Sequence, residues 1–480
     1  MILRRLAKDS AIYGGADFIA KILTFFSFPL VAAALSPLAF GALELILASG
    51  RLLGVVINCG QNNALQRFYW DENTLKTDRP SAVSSGLFTQ FFLGSFAFLI
   101  LCISIPELYV IAQREELPIS QSSLFLGACL MVLFQWNQYA LDVTRLHEAP
   151  WSFFSISIWS RGGAAVLGVF AVVVLEWGID GWIAGQVLAS LSSLPIALFL
   201  VRRDLTFRID FKWVRKLTGF GYPFIYVGLA YWLFTSMDRW MLAGLASVEE
   251  VGIYSVASRF GIVVFFVSTA FGQAWSPLAI KVRTEYPEKY REMYVNVLFA
   301  LLISMLVVGG GLALFSGEVI GLFMPTAYSS AALPLVILCF GSILQSTQQV
   351  TAIGISLEKK VFIFARVAWV TALINLGLNY WLIPLHGATG AASATLVSYM
   401  VMTGSYLYFT QRLHPLPIPW RRLGAILFLG GIVAWVAISW VSAELVWFAV
   451  ILKISLAIVC MVMAYFLLPN RTLNFRQTAG

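Results

Sequence analysis

The chain has 480 residues, of which 59% are hydrophobic and only 12% charged, with a formal net charge of +8. A soluble domain carries about 25% charged residues and about 45–50% apolar ones, so the composition excludes a soluble enzyme and places most of the backbone in lipid. The basic surplus does not point to nucleic acid either, because the Lys and Arg residues stand in short loops between apolar runs.

In hydrocarbon only helices or closed barrels satisfy every backbone N–H and C=O. The apolar runs are continuous and lack period-2 alternation, which predicts an all-α polytopic membrane protein. A crossing needs about 20 apolar residues. Fourteen spans are predicted, at 10–35, 41–64, 82–105, 120–141, 152–175, 181–201, 219–243, 252–278, 292–315, 331–355, 361–383, 388–410, 422–441 and 446–468. Arg4, Arg5 and Lys8, followed by an apolar run ending in Ala32-Ala33-Ala34, resemble a secretory signal. Asp17 and Lys21 inside that run argue that it is a retained helix.

Charge asymmetry tests the map. With the N-terminus in the cytoplasm, the inside segments hold 24 Lys and Arg residues and the outside loops hold one, Arg114. That bias predicts both termini inside.

A repeat appears at a shift of about 211 residues, read by the logic of internal self-similarity. Ser36-Pro37-Leu38-Ala39-Phe40-Gly41 matches Ser247-Val248-Glu249-Glu250-Val251-Gly252, and Gly60-Gln61 matches Gly272-Gln273. Leu146 matches Leu357, and Gly178-Ile179-Asp180-Gly181 matches Gly387-Ala388-Thr389-Gly390. A unit of six helices inserts twice with the same orientation, giving two parallel six-helix lobes of the kind transporters rock against each other. The expected organisation is residues 1–210 and 211–412 as lobes, joined through the six basic residues between Arg202 and Lys216, with 413–480 supplying two additional helices.

Ionisable groups inside hydrocarbon cost several kcal/mol and normally face a cavity or a partner. Asp17 and Lys21 share one face of helix one, with Lys21 about 16 Å into the span at 1.5 Å per residue. Glu44, Arg51, Asn58 and Asn62 have spacings that place all four on one stripe of helix two. Arg161 lies in helix five, Arg259 in helix eight and Arg366 in helix eleven. Gln345, Gln348 and Gln349 lie in helix ten, and Asp238-Arg239 closes helix seven. These groups either pair to lock helices, snorkel to headgroups, or line a cavity. A cavity with excess positive charge prefers an anion, and Arg suits phosphate through its bidentate fork. Lys21, Arg51, Arg161, Arg259, Arg366, Asn58 and Asn62 are the candidate substrate contacts, and Asp17, Glu44 and Asp238 the candidate ion couplers.

The five cysteines fall in apolar segments and the three histidines stand singly in loops. No metal set, no cofactor and no disulfide framework is expected. There is no nucleotide-binding G-x-x-x-x-G-K-[ST] loop, no G-x-S-x-G and no H-E-x-x-H.

Asp9-Ser10-Ala11-Ile12-Tyr13-Gly14, then Ala34-Leu35-Ser36-Pro37 and Phe40-Gly41, resemble the start of bacterial polysaccharide-repeat-unit flippases of the O-antigen type, in the multidrug/oligosaccharidyl-lipid/polysaccharide exporter superfamily. Asp238-Arg239-Trp240-Met241-Leu242 with Val251-Gly252-Ile253-Tyr254-Ser255-Val256-Ala257 is similar to a later signature. So is Asn375-Leu376-Gly377-Leu378-Asn379 followed by Ile383-Pro384 and Gly387-Ala388-Thr389-Gly390-Ala391-Ala392. The resemblance runs from residue 9 to about 410 and implies two six-helix lobes around a central cationic cavity, plus two extra helices. It implies undecaprenyl-diphosphate-linked oligosaccharide as substrate, flipped from the cytoplasmic to the periplasmic leaflet of the bacterial inner membrane for lipopolysaccharide-type surface polysaccharide. Membrane lipid and a polysaccharide polymerase machinery are the further partners it implies, with no nucleic acid. Two other readings stay open: a cation-coupled exporter of small molecules, which needs a net acidic cavity, and an integral-membrane glycan polymerase or ligase.

Overall fold

The computed structural model describes residues 2–206, 208–358, 360–441, 450, 451, 453–455 and 458, with side chains from residue 12 onward, Val361 excepted. All regular structure among the described residues is helical. Contacts divide the chain into two compact units, Met1–Arg239 and Trp240–Gly480.

The first unit begins with α1 (Ile2–Ala34) and α2 (Pro37–Asn58). Ser36 separates them. Its side chain accepts the Ala39 N–H, and Pro37 at the first helical position gives up an N–H that would have had no partner. The predicted second span, 41–64, does not run through. Cys59 (φ 47°) and Gly60 (φ 65°) take left-handed backbone and end α2, and a separate α3 (Gln61–Tyr69) follows. Gly60 is required there for a second reason: a Cβ on it would stand 2.1 Å from the Gly221 carbonyl oxygen. Then come α4 (Arg79–Arg114), α5 (Gln121–Leu146), α6 (Pro150–Val174) and α7 (Gly178–Val201). Small residues let α6 and α7 touch, with Gly185 against the Gly168 backbone.

The basic connection after α7 is not a plain loop. Phe211–Gly221 forms α8, burying Trp213 and Leu217 while Lys212, Arg215 and Lys216 stay exposed. That division is the pattern of a helix lying in the membrane interface. It meets α9 (Pro223–Leu245) at a bend of 43°.

In the second unit, α10 (Val248–Glu285) opens on Ser247, whose hydroxyl accepts the Glu250 N–H as Ser36 accepts that of Ala39. α11 (Tyr290–Leu314), the short α12 (Ser316–Phe323) and α13 (Thr326–Leu357, broken) follow. Val361–Leu413 is one continuous helical stretch of 53 residues with a non-helical residue inside, Gly387 (φ 52°, ψ −130°). The chain reverses there. Asn375 bonds Ser398 across the turn at 3.1 Å, and the Phe364 and Tyr406 rings meet at 5.3 Å. We therefore treat 361–386 as α14 and 388–413 as α15, a hairpin of two crossings. The other copy of the repeat turns at Gly178 (φ 59°), the position matched to Gly387. α16 (Trp420–Ser439) ends the continuous description. The predicted span 446–468 lies outside the described residues except for a few positions, Lys453 among them.

Eleven helices are long and apolar enough to cross a membrane, the bent α8–α9 pair makes twelve, and the reversal at Gly387 splits one of them into two. The protein is an all-α polytopic membrane protein with thirteen crossings among its described residues. Orientation can be checked by cysteine labelling in a background whose own cysteines are replaced. On intact cells a membrane-impermeant maleimide is expected to label Glu115→Cys, between α4 and α5, and to spare Thr206→Cys, between α7 and α8. Both should label after lysis. The reverse pattern would invert the topology.

Candidate functional site

Polar residues on six helices of the first unit form one connected network. Arg161 sits in a π-helical turn of α6, Ile158–Gly162, a local widening frequent at functional positions. Its Nη1 donates to Asp17 Oδ1 on α1 at 2.9 Å and its Nη2 to Gln138 Oε1 on α5 at 2.8 Å. Arg145, in the last turn of α5, donates to Asp142 at 3.1 Å and reaches the other Asp17 oxygen at 3.7 Å. Asn62 on α3 donates to Asp142 and accepts from Gln90 on α4 at 2.6 Å. The Asn62 N–H in turn bonds the Asn58 side chain at the end of α2.

Two features bear on chemistry. The network's charged members are two acids, Asp17 and Asp142, and two arginines, Arg145 and Arg161, so it is balanced as it stands. Its outer part is less sealed: the Asp17 and Arg161 side chains are 33% and 29% exposed, whereas Asp142 and Asn62 are buried. Packing does not seal this pair on every side, which leaves Asp17 and Arg161 room to change partners.

A second polar line runs along α2 and α9. Glu44 Oε2 lies 3.6 Å from Arg239 Nε, and Arg239 Nη1 lies 3.2 Å from Asp238 Oδ1. Arg51 Nε donates to Ser236 Oγ at 3.3 Å, and the Trp232 indole donates to the Ala48 carbonyl at 2.9 Å. Gly228 leaves room for Val55, whose Cγ1 would sit 2.6 Å from a Cβ there. From Glu44–Arg239 to Gly60–Gly221 the two helices run antiparallel, and the pairing at Glu44 is deeply buried.

The structure thus sorts the sequence candidates. Asp17, Arg161, Asn58 and Asn62 join one network, while Glu44, Arg51 and Asp238 line the α2–α9 seam. The single stripe predicted for helix two does not survive the break at Cys59, because Asn62 belongs to α3 and meets Asn58 only through its backbone. Lys21 is exposed on α1, Arg259 is half-buried on α10, and Arg366 is exposed on α14 with its guanidinium 5.5 Å from the Phe362 ring. Gln90, Gln138 and Arg145 were missed as site residues. Arg145 counted as loop because α5 runs one turn further than its apolar run, and Gln138 had one signal, its place 211 positions before Gln349.

At one end of the same helices lies a basin of about 560 Å³ lined by Tyr69, Trp70, His147, Arg202, Arg203 and Asp204 among others. Asp204 accepts from Tyr69 at 2.8 Å and contacts His147 Nε2 at 2.6 Å. Burial, then the bond to Asp204, raises the Tyr69 hydroxyl well above its ordinary value. Among the described residues no group of three or more His, Cys, Asp or Glu is placed to hold a metal ion.

Residues 6–281 match a family described as polysaccharide biosynthesis protein. A protein of the Lsg locus of Haemophilus influenzae is 24% identical over 311 residues, 62% of this chain and 72% of its own. A protein of Haloferax volcanii named as a probable low-salt glycan biosynthesis flippase, Agl15, is 22% identical over 216 residues, covering 45% of this chain and 46% of its own. Among solved structures, the lipid II flippase MurJ in an inward closed conformation superposes with a TM-score of 0.73 at 15% identity, over 95% of this chain and 98% of that one. The last likeness carries the fold.

Removing one member of a buried ion pair strands the other, at a cost of about 3–5 kcal/mol. Glu44→Gln is expected to lower the thermal unfolding temperature of the purified protein markedly. Adding Arg239→Gln should recover part of the loss. Additive losses in the double variant would mean that the two side chains do not interact.

Proposed function

The chain belongs to the polysaccharide biosynthesis protein family, and from that premise we propose that it is a flippase of the multidrug/oligosaccharidyl-lipid/polysaccharide exporter superfamily whose cargo is an undecaprenyl-diphosphate-linked oligosaccharide. The cargo moves from the cytoplasmic to the periplasmic leaflet of a bacterial inner membrane by alternating access. The carrying observation is the Asp17–Arg161–Gln138 linkage, a partly exposed guanidinium held within apolar helices by one acid and one amide. Nothing in this job makes or breaks a covalent bond, so the chain acts as a transporter.

The chemistry follows from that linkage. A diphosphate is a better acceptor for a guanidinium fork than a neutral amide. An arriving headgroup can take the Arg161 Nη2 proton from Gln138, and Arg161 as a whole once Asp17 is neutralised by a proton or a cation. Neutralising Asp17 converts a balanced network into a net cationic one, which ties cargo binding to ion binding. Lys21, on the next turn of α1, and Arg51 on α2 supply further positive charge, and Arg259 and Arg366 are proposed headgroup contacts within the second unit. Asn58 and Asn62 offer neutral hydrogen bonds, and Glu44 and Asp238 offer a second place for a coupling ion. The lipid tail needs no protein path, since hydrocarbon already solvates it. A polymerase machinery on the far side would consume the product and pull the cycle forward.

Deleting the gene is expected to strand lipid-linked repeat units on the cytoplasmic leaflet. Stranding on the periplasmic leaflet would instead indicate a polymerase or ligase. Arg161→Ala and Arg51→Ala should each cut surface-polysaccharide export at least tenfold with the protein still in the membrane. Normal export in both would remove the cationic contacts from the mechanism.

A further inference from the structure

We propose that a pocket inside the second unit is a recognition subsite for a single uncharged sugar ring of the cargo's headgroup. The cargo part of this proposal rests on the flippase reading above; the pocket's preference for sugar does not.

The pocket encloses about 250 Å³, and its lining includes Ser268, Gln345, Gln348, Gln349, Phe364 and Tyr406. No charged side chain lines it, so it suits neither phosphate nor a metal ion. It is smaller than the roughly 300–1,000 Å³ of sites for drug-sized ligands, which fits one ring better than a whole repeat unit. Its chemistry is that of a sugar: amide groups donate and accept at once, as hydroxyls require, and aromatic faces cover the apolar C–H surface of a pyranose.

Three observations mark it as built for a ligand. First, the helix bearing the glutamines breaks where they stand. α13 is interrupted at Thr347, where Thr347 N–H bonds Leu344 and Val350 N–H bonds Thr347 in short 3₁₀-type steps, and again at Ala352. Discontinuous spans carry substrate sites in transporters. Second, the amides are only partly engaged. Gln348 donates to Thr403 Oγ1 at 3.0 Å, while Gln345 and Gln349 make no hydrogen bond to any described residue. Gln349 is held by Gly272, where a Cβ would stand 2.5 Å from its Oε1. This gives the Gly272-Gln273 motif a use. Third, the repeat supplies an internal control. Asn137, 211 positions before Gln348, is saturated: its amide donates to Leu133 and Ser190 carbonyls and its oxygen accepts from Ser193. Phe153, at the same shift from Phe364, is covered by the Arg145 guanidinium at 4.5 Å and by Tyr13 at 5.1 Å. The unit 1 counterpart is filled where unit 2 keeps a hollow. With the N-terminus inside, α13 runs from outside to inside, which puts the glutamines toward the cytoplasmic end, where a newly made headgroup arrives.

The test uses the full-length protein in detergent micelles and methyl glycosides of glucose, rhamnose and N-acetylglucosamine as probes, read by saturation-transfer NMR. At least one glycoside is expected to show transfer. The signal should fall at least fivefold in Gln348→Leu and in Gln349→Leu, which keep side-chain bulk, and in Gly272→Val, which pushes Gln349 into the pocket. Thermal unfolding of each variant reports folding, and Gln349→Glu, nearly isosteric, replaces any that fails to fold. No transfer from all three glycosides, or transfer unchanged in folded variants, overturns the pocket. A leaflet assay in phosphatidylethanolamine–phosphatidylglycerol vesicles with fluorescent undecaprenyl diphosphate bearing one N-acetylglucosamine separates the two claims. Transfer that depends on the glutamines, without flipping of this lipid, supports the pocket and counts against the flippase.

Discussion

A polar group inside hydrocarbon has no water to fall back on, so leaving one without a partner is costly, and this pressure organises the protein. The described backbone meets it by forming helices wherever it is long and apolar enough to cross. Side chains meet it by linking helices: Arg161 joins α1, α5 and α6, Asn62 joins α3, α4 and α5, and Arg239 ties α9 to α2. In the second unit, Lys453 is 1% exposed and donates to Glu318 of α12 at 2.6 Å. A buried pair of this kind is poor as a source of stability but severe on any arrangement that separates its members. It therefore fixes where Lys453 must stand.

The crossings were legible because a membrane span is read from length and apolarity, and tertiary packing hardly alters either. Two things were not. The stripe Glu44–Arg51–Asn58–Asn62 keeps helical spacing through Cys59-Gly60, so periodicity could not reveal two residues with positive φ. α8 looked like a basic linker because Trp213 and Leu217 are only two buried residues among cations, too short a pattern to outweigh charge. The stretch 361–413, continuous in its helical hydrogen bonding, was divided near Gly387 by apolar length, and the chain does reverse there.

The candidate site was legible as a set of residues and not as a set of partnerships. Asp17, Asn62 and Arg161 were named individually, yet Arg161 reaches an aspartate 144 positions away and an amide from a third helix. One sequence contains no distance across a bundle. Charge counting consequently suggested a surplus of cations, whereas geometry sets Asp17 and Asp142 against Arg145 and Arg161. The glutamines of α13 were seen and left without a role, because an uncharged pocket leaves no mark on a charge inventory.

The turn at Gly387 has a consequence for how the chain is made. Ala388 N–H bonds Glu250 Oε2 at 2.6 Å, and a Cβ on Gly387 would come within 2.5 Å of the same carboxylate. With one residue between α14 and α15, neither helix can leave the translocon while the other waits outside it. Asn375 and Asn379, each expensive to expose to acyl chains singly, lie in α14, and Asn375 already holds Ser398 of α15. The two segments are therefore expected to partition into the bilayer together as one hairpin, whose turn then docks on Glu250, synthesised more than a hundred residues earlier.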